Sequence, residues 1–305
     1  MAATPVNDFS LREQSGWRRA KNRLATGSMW LAFLCMAVPL GFVFVSVVVK
    51  GASQISWRFL TSGTIPPPDI PAILAKLLGN SGGIGAAIVG TLEITAFASL
   101  IAIPLGILGA VYLSEYGGNR PLAKLISFLA DVMTGVPSIV MGLFIFTVWV
   151  IPNGLSGSTG LAGPFALACL MLPVVIRSSY EMLRLVPDSL RQGSYALGTT
   201  KARVTLTVVL PTAAGGIVSG ALLAVARAAG ETAPLLFTIG IVESINTNLF
   251  SGTNIALSTL IFKYVLSGKS AAINLGWGAA LTLIVIAFIM MIIARLVTAR
   301  FNRYS

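Results

Sequence analysis

Arg227 and Glu231 stand four residues apart in Ala226-Arg227-Ala228-Ala229-Gly230-Glu231-Thr232-Ala233-Pro234-Leu235, inside an apolar run over about residues 211–241. At that spacing a helix carries both charges on one face. The run is longer than the roughly 20 residues needed to cross a bilayer, and hydrocarbon solvates neither a guanidinium nor a carboxylate. The pair therefore has to face protein or a water-filled path. In such a path the guanidinium offers a planar fork of donors that keeps its charge when partly dehydrated, suited to an anion with several acceptor oxygens. Glu231 would neutralise it when the path is empty, limiting the cost of burial and preventing a permanent anion trap. The alternative is that the two ions only satisfy each other or a partner helix.

Other ions fall in or beside apolar runs. Arg177 lies near the end of one, where it can anchor a helix at the membrane interface or reach a translocating anion. Glu93 and Asp131 fall within two more runs, and each is a candidate partner for Arg227 or Arg177, a polar contact between helices, or a residue at a membrane boundary.

The elements that must position these residues are membrane helices. Of 305 residues, 55% are hydrophobic and only 10% charged, and the mean hydropathy is +0.87, which places the chain among polytopic all-α membrane proteins. Histidine is absent, which excludes histidine relays, histidine metal sites and Ser-His-Asp chemistry for this chain acting alone. Cys35 and Cys169 both sit in apolar segments, and no disulfide is predicted.

Apolar runs at about 29–49, 84–113, 122–151, 161–176, 211–241 and 273–297 predict six spans, with Pro104, Pro137 and Pro173 as natural bends. The first is longer than a signal-peptide core and reads as an uncleaved span. The domain reading is a polar N-terminal segment over 1–28, a membrane domain over 29–299 and a tail over 300–305. With the N-terminus inside, about fifteen Lys and Arg fall on the cytoplasmic side and about five outside, so both termini are expected to be cytoplasmic. The formal charge of +11 follows from that topology, and membrane lipid, with no nucleic acid, is the expected surrounding.

An outer connection is expected over about 50–83, where Pro66-Pro67-Pro68 and Asn80-Ser81-Gly82-Gly83 signal loop and turn. It and the loop over about 243–269 are either contacts for an external partner or simple coverings. Gly268-Lys269-Ser270 looks like the end of a phosphate-binding loop, but Lys263 stands where that motif needs glycine. With no other Gly-rich cradle, any ATP has to be hydrolysed by another chain. Gly216-Ile217-Val218-Ser219-Gly220 is a small-three-small pattern suited to close helix contact, within the chain or with a second subunit. Pro137 with Gly142, and Gly230 with Pro234, are either the bend points that alternating access requires or static kinks.

The longest polar inner stretch covers about 177–210, and within it residues 187–197 predict a short amphipathic helix: Pro187 starts it, Leu190, Ala196 and Leu197 offer apolar contacts, and Gly198 ends it. Its segment Gln192-Gly193-Ser194-Tyr195-Ala196-Leu197-Gly198, followed by Val209-Leu210-Pro211, resembles the Glu-Ala-Ala-three residues-Gly signature that ABC importer permeases present to their ATPase subunits. Gln192 stands where that signature usually has glutamate, Gly193 and Ser194 replace its alanines, and Gly198 keeps its place.

Further blocks extend the likeness from about residue 83 to the C-terminus: Tyr112-Leu113-Ser114-Glu115-Tyr116-Gly117, Gly135-Val136-Pro137-Ser138-Ile139-Val140-Met141-Gly142-Leu143-Phe144, Pro173-Val174-Val175-Ile176-Arg177, and Ala224-Val225-Ala226-Arg227-Ala228-Ala229-Gly230-Glu231-Thr232-Ala233-Pro234-Leu235-Leu236. Together they resemble the phosphate-specific importer permeases of the PstA type. The resemblance implies a type I ABC importer permease fold in a bacterial inner membrane, with Arg227, Glu231 and Arg177 on the phosphate path and Leu190 with 192–198 coupling to the ATPases. It also implies partners: a second permease of the PstC type, two ATP-binding subunits of the PstB type holding ATP and magnesium, and an external phosphate-binding protein of the PstS type. The chain itself would hold no cofactor. Three alternatives stay open: the same architecture carrying another anion or small nutrient, a stand-alone transporter or channel relaying protons through Glu93, Asp131 and Glu231, and a non-transporting membrane scaffold or sensor.

Overall fold

The computed structural model describes residues 16–63, 83–153, 160–239, 246 and 252–301, and among them every regular element is a helix. Pro66-Pro67-Pro68, most of the expected outer connection, and Arg12, Lys76 and Arg303 lie outside the described residues. Two units are distinguished, residues 1–49 and residues 50–305. The first is the greater part of helix α1, Gly16–Ala52, which carries Pro39 without ending there. Its large apolar side chains, Trp30, Phe33, Phe42 and Phe44 among them, are exposed, as a surface facing lipid or another subunit requires.

The second unit is organised round a close helix pair. After the short helix α2, Trp57–Thr61, helix α3, Gly85–Val111, presents Ile94, Ala98, Ala102, Gly106 and Ala110 at four-residue spacing, all buried. Small residues at that interval let two backbones approach, and without a hydrophobic force between helices in lipid it is such close packing that holds them. Helix α6, Ala162–Arg184, fills the stripe with Leu167, Met171 and Val175. A methyl group added at Gly106 would sit 2.6 Å from a Val175 methyl, so only glycine fits there. Helix α9, Leu210–Ala228, completes the core with Ala224, Val225 and Ala228. The small-three-small pattern lies on α9, and the structure assigns it to contact within the chain: an added Cβ would lie 2.2 Å from the Met182 sulfur at Gly216 and 2.5 Å from the Ser178 hydroxyl at Gly220.

Pro104 and Pro173 are carried inside α3 and α6, but Pro137 breaks its span. Steric conflict with a proline ring disfavours helical backbone in the residue before it, and Val136 is extended at ψ 131°. Pro137 is extended too, at ψ 138°. Two consecutive extended residues separate α4, Pro121–Gly135, from α5, Ser138–Ile145, and the chain turns by 109° there. The expected third span over 122–151 is thus two helices, the second prolonged by a π-helical turn over Phe146–Val150. Among the described residues, five helices are long and apolar enough to cross a membrane, and the bent pair makes a sixth crossing when counted as one.

The fifth expected span also differs. Its helical run begins earlier, at Lys201–Val204 (α8) and a π-helical turn over Thr205–Val209, and α9 ends at Ala228 rather than near 241. Gly230 weakens the helix, and Pro234 lacks a donor and disfavours helical backbone before it. A single turn, α10 (Leu235–Thr238), resumes beyond the gap. The expected loop over 243–269 contains a helix, α11 (Leu257–Leu266), which packs with α12, Ser270–Phe301. Gly268, at φ +66°, makes the turn between them, so the Gly-Lys-Ser sequence there is a helix junction.

Candidate functional site

The two broken spans meet. Gly142, on the helix that follows the first break, lies so close to the second that an added Cβ would be 2.5 Å from the Pro234 Cα and 2.6 Å from its carbonyl oxygen. Beside this contact is a cavity of about 280 Å³. Val136, Pro137 and Ser138 of the first break line it, with Pro173 of α6 and with Arg227 and Glu231 at the end of α9.

Arg227 occupies the last turn of α9 and Glu231 the irregular segment after it, where Glu231 N–H donates to the Ala228 carbonyl at 3.1 Å. The helix they were expected to share ends between them, yet the tightened turn keeps Arg227 Nε 3.4 Å from Glu231 Oε1. Ser258 Oγ donates to the Glu231 carbonyl at 2.9 Å, tying the gap to the start of α11. Exposure divides the pair unevenly: the Arg227 side chain is 72% exposed within this chain and that of Glu231 only 21%. Within this chain the carboxylate is the enclosed partner and the cation faces the open side.

Asp131 pairs with Arg177, linking α4 to α6. Thr134 and Val174 line the cavity, so this ion pair sits about one helical turn along both helices from it. Glu93 is elsewhere: on α3 it accepts from Asn254 Nδ2 at 3.4 Å, beside Thr91, whose hydroxyl accepts the Leu257 backbone N–H at 2.8 Å. Of the candidates, then, Arg227 and Glu231 share the cavity, Arg177 and Asp131 adjoin it, and Glu93 fastens the approach to α11.

The polar stretch after α6 folds as expected into a short helix, α7, Asp188–Ala196, with Pro187 at its N-cap and Gly198 at φ +77° just past its end. None of its residues is buried; Leu190 and Tyr195 are exposed, as are Gln192, Gly193, Ala196 and Leu197 around them, while Ser194 is half-buried. What the sequence reading did not single out is the ion beneath it. Arg191 Nη2 bonds Glu115 Oε1 at 3.1 Å, and both side chains are nearly enclosed. Glu115 lies in a π-helical turn over Tyr112–Gly117 that prolongs α3. The sequence offers one local hint, Asp188 three residues before Arg191, but the partner from α3 is 76 positions away.

Residues 102–303 match the family model described as "Binding-protein-dependent transport system inner membrane component". Solved structures agree on the architecture: a bacterial ABC transporter that imports the acidic polysaccharide alginate superposes at TM-score 0.63 and 15% identity, covering 94% of this chain and 99% of that one. An inward-facing MetNI methionine ABC transporter does so at TM-score 0.56 and 18% identity over 76% of this chain and 99% of its own. The class is therefore the type I ABC importer permease. Among curated relatives, phosphate transport system permease protein PstA 1 of Mycobacterium tuberculosis (strain CDC 1551 / Oshkosh) is 40% identical over 282 residues, 92% of this chain and 90% of the relative. PstA of Yersinia pestis is 38% identical over 296 residues, 95% and 94% of the two chains. The chain belongs to the PstA family of phosphate transport system permeases.

Proposed function

We propose that this chain is a membrane-spanning subunit of an ATP-driven importer of inorganic phosphate, with Arg227 as the transient counter-charge for the anion. The observation that carries this reading is the cavity between the two broken spans, lined by Arg227 and Glu231. Phosphate at neutral pH is a compact anion rich in acceptor oxygens, and an arginine fork meets it with charge-assisted hydrogen bonds. Glu231 competes for the same guanidinium, so the anion binds by exchanging one partner for another and leaves by the reverse exchange. Arg177, now paired with Asp131, serves as a second station along α6 by the same exchange. The open side of Arg227 faces a path shared with a second permease of the PstC type. An external phosphate-binding protein of the PstS type delivers the anion.

Energy enters from outside the chain. Two ATP-binding subunits of the PstB type, holding ATP and magnesium, dock on the exposed residues of α7 and Gly198 from the cytoplasm, where both termini also lie. Support for that orientation is the excess of Lys and Arg in the N-terminal segment, around Arg120 and Lys124, and between Arg177 and Arg203. Closure of the ATPases on ATP displaces the knob and turns the path outward; hydrolysis resets it.

The test is phosphate uptake by the assembled complex carrying Arg227→Gln. Loss of the charge removes one charge-assisted hydrogen bond, so uptake is expected to fall at least about tenfold while assembly holds. Arg227→Lys, which keeps the charge and loses the fork, is expected to lie between. Unchanged uptake in Arg227→Gln would remove that residue from the mechanism.

A further inference from the structure

Arg191 binds three elements with one guanidinium. Its Nη1 donates to the Val186 carbonyl at 2.5 Å and to Asp188 Oδ1 at 3.0 Å; its Nη2 donates to the Leu183 carbonyl at 2.9 Å and to Glu115 Oε1 at 3.1 Å. Leu183 and Val186 flank the end of α6, where the last carbonyls of a helix have no partner inside it. Arg191 itself belongs to α7, and Glu115 to the π-helical turn that ends α3. The Arg191 and Glu115 side chains are 14% and 5% exposed, so solvent screens the bond little and removal of either partner strands an ion in an enclosed place. A second link lies alongside: the Lys201 ammonium sits 5.2 Å above the ring of Tyr116, in the same turn. The first half of α7 and the start of α8 are thereby tied to the turn that ends α3.

These ties have a direction of consequence. Through α3 they reach the small-residue stripe packed on α6, and through α6 they reach Pro173, which lines the cavity. A π-helical turn holds an extra residue and occurs frequently at functional sites.

We propose that Arg191 is the positioning residue that fastens the ATPase-contacting helix α7 to α3 and α6, so that displacement of α7 moves both spans as one body. This rests on the assignment of α7 as the ATPase contact. Arg191 touches neither cargo nor nucleotide; its function is to stop the knob from moving alone. A structural role only, in which the ion pair merely stabilises the loop, predicts lower stability with unchanged transport per ATP.

The experiment uses the assembled complex in liposomes with the phosphate-binding protein, Cys35 and Cys169 replaced by serine, and spin labels at Asn119 and Ser189, one on each side of the fastening. In the parent complex the label distance is expected to stay constant between the nucleotide-free state and ATP with vanadate; a nucleotide-dependent distance overturns the proposal. Arg191→Gln and Glu115→Gln are each expected to keep the ATPase subunits and ATP hydrolysis while phosphate moved per ATP falls about tenfold, within the usual range of coupling between sites. The double variant is expected to be no worse than Arg191→Gln alone, because the bond to Glu115 is already lost there. Wild-type phosphate per ATP, loss of the ATPase subunits, or multiplied defects in the double variant each overturn it. If the parent complex moves no phosphate at all, the proposed function fails, and the label distance still reports on the fastening.

Discussion

In the proposed exchange Glu231 would set how long Arg227 holds an anion, because the carboxylate is the enclosed member of the pair. Replacing it by glutamine keeps the shape and removes the competing charge. We expect Glu231→Gln to bind phosphate more tightly and release it more slowly, with half-saturation and maximal uptake both falling roughly tenfold, the scale of one charge-assisted hydrogen bond. Uptake kinetics across phosphate concentration check this, and a raised half-saturation concentration would count against the exchange. Asp131 and Arg177 differ from this pair in kind: their charges come from two separate helices, so exchange there also loosens α4 from α6. The Glu93 carboxylate, by contrast, meets the Asn254 amide, a polar contact between α3 and the approach to α11.

At the scale of elements, the contact between the two breaks is tested by glycine substitution. Gly142→Ala places a methyl 2.5 Å from backbone that cannot rotate away, and overpacking of this kind costs about 1–3 kcal/mol. Gly135→Ala, at the end of the neighbouring helix, meets nothing within 4 Å and is expected to be neutral or to stabilise by about 0.5–1 kcal/mol. Thermal unfolding of the solubilised protein compares them. The spans themselves were legible in the sequence: 84–113 became α3 with its π-helical end, and 273–297 lies inside α12. Hydropathy failed where a helix outlasts its apolar run, as α6 does through Arg177, Ser178 and Glu181, and where an apolar run outlasts its helix, as beyond Ala228. It also hid α11, whose ten residues are too few to cross a bilayer and so read as loop. In the site, Arg227 and Glu231 were legible because their spacing is local, whereas Asp131 with Arg177 and Glu115 with Arg191 are pairings between separate helices, which one-dimensional periodicity does not encode.

For the whole molecule, the proposed function makes the isolated chain an incomplete passage, since the Arg227 side chain is open within this chain. Reconstituted alone in liposomes, it is expected to pass no phosphate above empty vesicles, and to gain uptake only with a second permease, the ATPase pair and the binding protein. Measurable flux by the single chain would instead favour a stand-alone transporter. The abutment of Gly142 on Pro234 carries this further. Each kink wedges the other, since neither backbone can straighten without first clearing its neighbour. The two breaks are thus coupled sterically: a change of bend at one would have to be accompanied by a shift at the other.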